Sequence, residues 1–183
     1  MQGMKEKLLL YKIITKRDTA SYGLLYDNYV EKIYRFIYFK VQSREDAEDL
    51  TSEVFLKAWQ YIINKTPTEI ESVSGLLFSI ARNSVIDLYR ERAKKPLVSI
   101  EVVSEVMAEE KEKESFDYKE EVAHMIGLIK KLKQDYQEVL LLKYVEELKI
   151  TEIAKVLGKS SVNVRVLLHR AVKKLKELSK NTP

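Results

Sequence analysis

Between Thr151 and Lys176 one glycine, Gly158, separates two stretches of apolar residues at helical spacing. Ile153, Ala154, Val156 and Leu157 predict a short helix, with Thr151 as its N-cap and Glu152 in the first turn, where a carboxylate suits the helix dipole. Gly158 falls where that helix must stop and turn, a left-handed position that glycine fills without strain. Ala154, four residues earlier, is small enough for a second helix to cross closely. Val164, Leu168, Ala171 and Leu175 then give that second helix one apolar stripe. Its remaining faces carry Ser161, Asn163, Arg165, Val166, His169, Arg170, Lys173 and Lys174. Short polar groups at the start and cations towards the end suit a helix whose N-terminus meets base edges and whose flank meets phosphates. A basic amphipathic helix alone is commonly a solvated face. A solvated helix requires neither the turn nor the preceding short helix, so the combination points to a DNA-reading helix-turn-helix.

Gly and Pro together number only eight in 183 residues, too few for an all-β fold with many tight turns. Cysteine is absent, which excludes disulfides and thiolate metal sites and is compatible with a reducing cytosol. Residues 1–18 interrupt their apolar residues with lysines too often for a signal peptide, and no apolar run is long enough to span a bilayer. A cytoplasmic protein without membrane insertion is expected. The net charge is +4, but the charges are segregated. Gly158 to Pro183 holds seven Lys or Arg against Glu177 alone, whereas Glu101 to Glu121 holds nine acids against Lys111, Lys113 and Lys119.

The periodicity predicts an all-α chain of two small helical domains joined by an acidic flexible linker. From Asp18 to Val41, residues Tyr22, Leu25, Tyr26, Tyr29, Ile33, Phe36, Ile37 and Phe39 form a broad stripe. Ser43 with Asp46 is a capping-box variant, and the helix after it buries Ala47, Leu50, Val54, Ala58 and Ile62. Residues 64–74 hold a proline and clustered hydroxyls, as a loop does. A helix from near Ser74 buries Leu77, Ile80, Ala81, Val85 and Leu88 and ends in a basic run before Pro96. Residues 1–95 make the first domain, 96–116 the linker and 117–183 the second domain. In the second, one helix runs through Leu132 and another from Gln134 to Glu146, with Val139, Leu142 and Tyr144 as apolar positions.

No chemistry of catalysis stands out. There is no phosphate-cradling glycine loop and no Ser-His-Asp arrangement. His124 and His169 lie far apart without metal-ligand spacing, so no metal, no cofactor and no catalytic residue is expected. Taken alone, Asp46, Glu48, Asp49 and Glu53 read as a solvated acidic face, and Asn83 with Asp87 as a surface pair one turn apart. On residues alone a free-standing helix-turn-helix regulator of operator DNA, or a helical adaptor whose basic end meets a protein or membrane, stays open.

Three ordered segments resemble a known family. DAEDLTSEVFLKAW (46–59), LLFSIARNSVIDLYRER (76–92) and the terminal helix-turn-helix resemble bacterial RNA polymerase sigma factors of the sigma-70 family, in the short extracytoplasmic-function form. The resemblance spans about Ser21 to Leu178. It implies a promoter-specificity subunit that works with core RNA polymerase and performs no catalysis itself. The helix bearing Asp46, Asp49, Leu50, Glu53 and Trp59 would dock on the clamp helices of the polymerase. Arg82, Asn83, Asp87, Tyr89 and Arg90 would capture the single-stranded −10 element, with loop 64–74 cradling an extruded base. Asn163 and Arg165 would meet adenine and guanine edges of the duplex −35 element, His169 and Arg170 bases or backbone, and Lys173 and Lys174 phosphates. The acidic linker would thread near the RNA path, and an anti-sigma factor is a possible further partner. Departures from the family pattern fall at Leu76, where a tryptophan is frequent, at Val162-Asn163-Val164, where Gly-Thr-Val is frequent, and at Leu167, where an arginine is frequent. They bear on which promoter is read.

Overall fold

The computed structural model describes residues 2–94 and 124–180, and every regular element among them is helical. These residues form two compact units, one on each side of the undescribed stretch. The expected linker (96–116) and the start of the second domain near Asp117 lie outside the described residues.

The N-terminal unit holds α1 (Gln2–Lys16), α2 (Thr19–Val41), α3 (Arg44–Ile62) and α4 (Val73–Lys94). The lysine-interrupted N-terminal stretch is a helix that the sequence reading did not assign. Leu10 and Ile13 are buried, and the Tyr29 hydroxyl donates to Glu6 at 2.7 Å, so α1 is pinned to α2. Asp18 caps α2: its carboxylate accepts from the Ala20 amide at 3.2 Å and the Ser21 hydroxyl at 2.6 Å. That hydroxyl holds the Asp18 carboxyl below its usual range. Leu25, Ile33, Phe36 and Ile37 are fully buried because α2 meets α1, α3 and α4, which explains the width of its stripe. Tyr26, expected within the stripe, is on its exposed rim, with its ring 4.6 Å from that of Phe55. At the centre, Phe36 meets Phe78 of α4 edge-on, with ring centroids 5.2 Å apart. Of the apolar residues expected in α4, Leu77, Ala81 and Val85 are buried, whereas Ile80 and Leu88 are half-buried.

The C-terminal unit holds α5 (124–130), α6 (Gln134–Leu140), α7 (Ile150–Leu157) and α8 (Ser161–Lys180). The helix expected to run to Glu146 changes character at Leu141, where a π-helical turn spans Leu141–Val145. The wider turn keeps Leu141 and Leu142 buried but turns Tyr144 outward, 61% exposed, against its expected apolar role. The helix-turn-helix is present with one correction at its start. Lys149, not Thr151, is the N-cap residue, because the Glu152 carboxylate reaches back to accept from the Lys149 amide at 2.8 Å. Gly158 closes α7 with φ 61° and ψ 36°. Its amide donates to the Lys155 carbonyl at 3.2 Å, and the Lys159 amide donates to that of Ala154 at 2.9 Å, the paired bonds of a Schellman turn. Ser160 then caps α8, its hydroxyl accepting from the Asn163 amide at 3.2 Å. Val164 and Ala171 of the α8 stripe are buried, and Leu168 and Leu175 are half-buried.

Among the described residues no helix is long and apolar enough to cross a membrane, and no cluster of His, Asp and Glu is placed to hold a metal ion.

Candidate nucleic-acid and docking surfaces

The acidic helix α3 separates its carboxylates by direction. The Ser43 hydroxyl caps it, accepting from the Asp46 amide at 3.3 Å. The reciprocal arm of the box does not form, because the Asp46 carboxylate is engaged elsewhere. Arg92 Nη2, near the end of α4, donates to both of its oxygens at 2.6 and 2.7 Å. Asp46 is 18% exposed in this bridge, so it ties α3 to α4 more than it faces a partner. Leu50 is buried in the core. Trp59 is half-buried, edge-on to Tyr22 with centroids 4.9 Å apart. The Tyr22 hydroxyl donates to the Phe55 carbonyl, and burial pushes its pKa up to about 12. The face that remains outward carries Asp49, Ser52, Glu53, Leu56 and Gln60. Glu53 pairs with Lys57 one turn on, and Lys57 also reaches the Ser84 hydroxyl at 3.3 Å. Leu56, 59% exposed, was missed by the sequence reading. The available signal was phase: Leu56 is seven residues, two full turns, from Asp49 and away from the Ala47–Val54–Ala58 stripe.

The loop before α4 is folded on itself. The Thr66 amide and hydroxyl donate to one Glu69 oxygen at 2.7 and 2.8 Å, and Lys65 donates to the other at 3.0 Å. These donors, the Thr66 amide foremost, hold the Glu69 carboxyl down to about 2. Ile70 and Val73 are buried and anchor the far end. Ser72 caps α4 by accepting from the Gly75 amide at 3.0 Å, so the helix begins at Val73. Along α4, Asn83, Asp87 and Arg90 share one exposed stripe, with Arg90 Nη1 3.3 Å from Asp87. Arg82 and Tyr89, two turns apart, border that stripe, and Arg82 is half-buried. The Tyr89 hydroxyl donates to the Lys40 carbonyl at 2.6 Å, which leaves its half-exposed ring as the group open to stacking.

On α8 the structure gathers Asn163, Arg165, Val166, His169, Arg170 and Lys173 on exposed positions. Ser161 is half-buried beside the apolar stripe, and Lys174 lies on a flank, 3.1 Å from Glu177. From Val162 to Lys174 every ionisable side chain is a cation or histidine. A shallow cavity of about 210 Å³ opens on this face, lined by Lys159, Asn163, Val166, Leu167 and Arg170. Lys159 is held 3.6 Å from Asp135 of α6, which steadies the turn beneath it. Val162, 64% exposed, is the residue of this face that the sequence reading did not assign.

The chain matches the family model for sigma-70 region 2 over residues 25–95 and that for sigma-70 region 4 over residues 125–175. It is 31% identical over 162 residues to the ECF RNA polymerase sigma factor BldN of Streptomyces coelicolor, covering 88% of this chain and spanning 61% of BldN. It is also 31% identical over 157 residues to the RNA polymerase sigma factor YlaC of Bacillus subtilis, covering 84% of this chain and 88% of YlaC. Two solved structures are similar in fold at 20% identity. CnrH, in complex with the cytosolic domain of CnrY, has a TM-score of 0.71 over 98% of this chain and 99% of CnrH. The sigma factor RpoE, in complex with the anti-sigma factor NepR from Bartonella quintana, has a TM-score of 0.67 over 86% of this chain and 96% of RpoE.

Proposed function

The chain belongs to the sigma-70 family of RNA polymerase sigma factors, in its extracytoplasmic-function group, and we propose that this promoter-recognition subunit divides its task among the three surfaces just described. The outward face of α3, with Asp49, Glu53 and Leu56, docks on core RNA polymerase. Acid beside an exposed leucine suits a basic amphipathic partner helix. The Asn83–Asp87–Arg90 stripe with Arg82, Tyr89 and the self-bonded loop 64–72 takes bases and phosphates of the melted −10 strand. The α8 face enters the major groove of the −35 duplex. The observation that carries this reading is the opposition of charge between two helices of separate units, acidic outward on α3 and cationic outward on α8.

The sequence of events is recruitment to core polymerase, docking at −35, capture of melted −10 bases and release as RNA grows. The protein carries out none of the bond-making chemistry, and it acts in the cytoplasm, where promoter DNA is. Two modest surfaces on one chain gain from effective concentration, since binding one element brings the other within reach. An anti-sigma factor holds the chain inactive by covering these surfaces, as suggested by the partner that RpoE has in its structure.

Salt tests the DNA part. Each phosphate neutralised contributes roughly −0.9 to the slope of log affinity against log salt, so Arg170 on the backbone and Lys173 together give the −35 contact a slope of roughly −2. The measurement is promoter retention by core polymerase with this chain across a salt series, with Arg170→Ala and Lys173→Ala each flattening the slope by about one. A response that does not depend on salt contradicts the cationic α8 face as the DNA surface.

Asp46 separates docking from support. Asp46→Asn keeps the shape and removes the charge that Arg92 meets. The expected cost is about 1 kcal/mol of stability, with affinity for core polymerase within about twofold of the parent. Thermal unfolding and polymerase titration read the two effects apart. Lost polymerase affinity at unchanged stability would return Asp46 to the docking face.

A further inference from the structure

At its N-terminal end, the side of α8 away from its buried stripe presents two valines before Lys173 continues the same line. Val162 and Val166, one turn apart, are 64% and 44% exposed, opposite the buried Val164–Ala171 stripe. Arg165 and His169 flank them on one side, and Asn163 and Arg170 on the other. A single exposed valine needs no explanation. Two consecutive ones at the crest of a cationic face are different, because β-branched residues are poor helix formers at solvated positions, where lysine or alanine costs less. The crest is also the part of a reading helix that goes deepest into the major groove. There the one apolar group on a base edge is the 5-methyl of thymine.

We propose that Val162 and Val166 read thymine methyl groups, so that the upstream element preferred by this chain has a thymine–adenine pair facing them. The inference rests on the reading of α8 as the −35 helix. Side chains one turn apart have Cβ atoms about 5–6 Å apart, which spans one to two base steps at 3.4 Å each. Asn163 beside the valines supplies the amide that pairs with adenine N6 and N7. Val166 and Leu167 give the adjoining cavity of about 210 Å³ an apolar wall, while Asn163, Lys159 and Arg170 supply its donors. A methyl group with a polar base edge beside it matches that lining.

Deoxyuridine pairs as thymidine does and lacks only the methyl. Each thymine of the upstream element is replaced singly by uracil, and binding of the duplex promoter by core polymerase with the full chain is measured. One or two replacements should weaken binding about three- to fivefold, the effect of one buried methyl. Val162→Ala and Val166→Ala should each erase the thymine–uracil difference at its own position. Alanine is the better helix former, so α8 stays folded in both, which circular dichroism checks. An element without a thymine–adenine pair, no response at any thymine, or a response that persists in both alanine variants overturns the inference and leaves the proposed function standing. Failure of the polymerase complex to retain the all-thymine promoter contradicts the proposed function and takes the inference with it.

Discussion

Replacing Asp49 and Glu53 together by arginine abolishes association with core RNA polymerase and leaves the N-terminal unit folded. Both carboxylates are on the side of α3 opposite Ala47, Val54 and Ala58, so neither contributes to the core. Asp49 is exposed, and Glu53 meets only its neighbour Lys57 in an exposed i,i+4 pair of little worth to stability. Reversing both charges sets arginine against the basic partner that an acidic face selects. Like charges placed across an interface cost several kcal/mol, so the affinity loss is on the order of a hundredfold or more. Titration of core polymerase with a fluorescently labelled chain measures it, and the unfolding midpoint confirms the fold. Leu56→Ala belongs to the same surface and should weaken binding without reversing its charge. Parental affinity in the double variant would place docking elsewhere.

Phe36→Ala has the largest expected effect on stability. Phe36 is fully buried where α2 crosses α4, its ring is edge-on to Phe78, and the Lys40 ammonium is 5.2 Å from its centroid. Removing a buried phenyl ring costs about 3–5 kcal/mol, against a typical domain stability of about 5–15 kcal/mol. The same crossing sets where the exposed stripe of α4 points, so capture of the −10 strand should fall even in the folded fraction. Urea unfolding measures the first effect and permanganate reactivity of melted promoter thymines the second. A cost below about 1 kcal/mol would mean that the α2–α4 crossing repacks around the gap.

What the sequence made legible was local. The stripe of α2, the Ser43 cap, the Gly158 turn and the stripe of α8 each depend on residues within a few positions of one another. What it concealed depends on partners far along the chain. Asp46 has the spacing of a capping box, yet its carboxylate goes to Arg92, forty-six positions away. Tyr89 looks like a free aromatic, yet its hydroxyl is held by Lys40, forty-nine positions away. Leu50 satisfied both a core pattern and a docking motif, and in the folded unit it is buried among the core residues of α3. Helix α1 escaped notice because lysines break up its apolar residues, while the surface it buries belongs to α2. The π-turn at Leu141–Val145 has no local signal at all, and it reverses the role expected of Tyr144.

Run-off transcription by core RNA polymerase on a library of randomised promoters, with and without this chain, tests the promoter-recognition reading most directly. Selected transcripts should share two upstream elements at fixed spacing, and Asp49→Arg with Glu53→Arg should remove the stimulation. A folded chain that binds duplex DNA by itself and leaves core polymerase unstimulated on every template would contradict that reading.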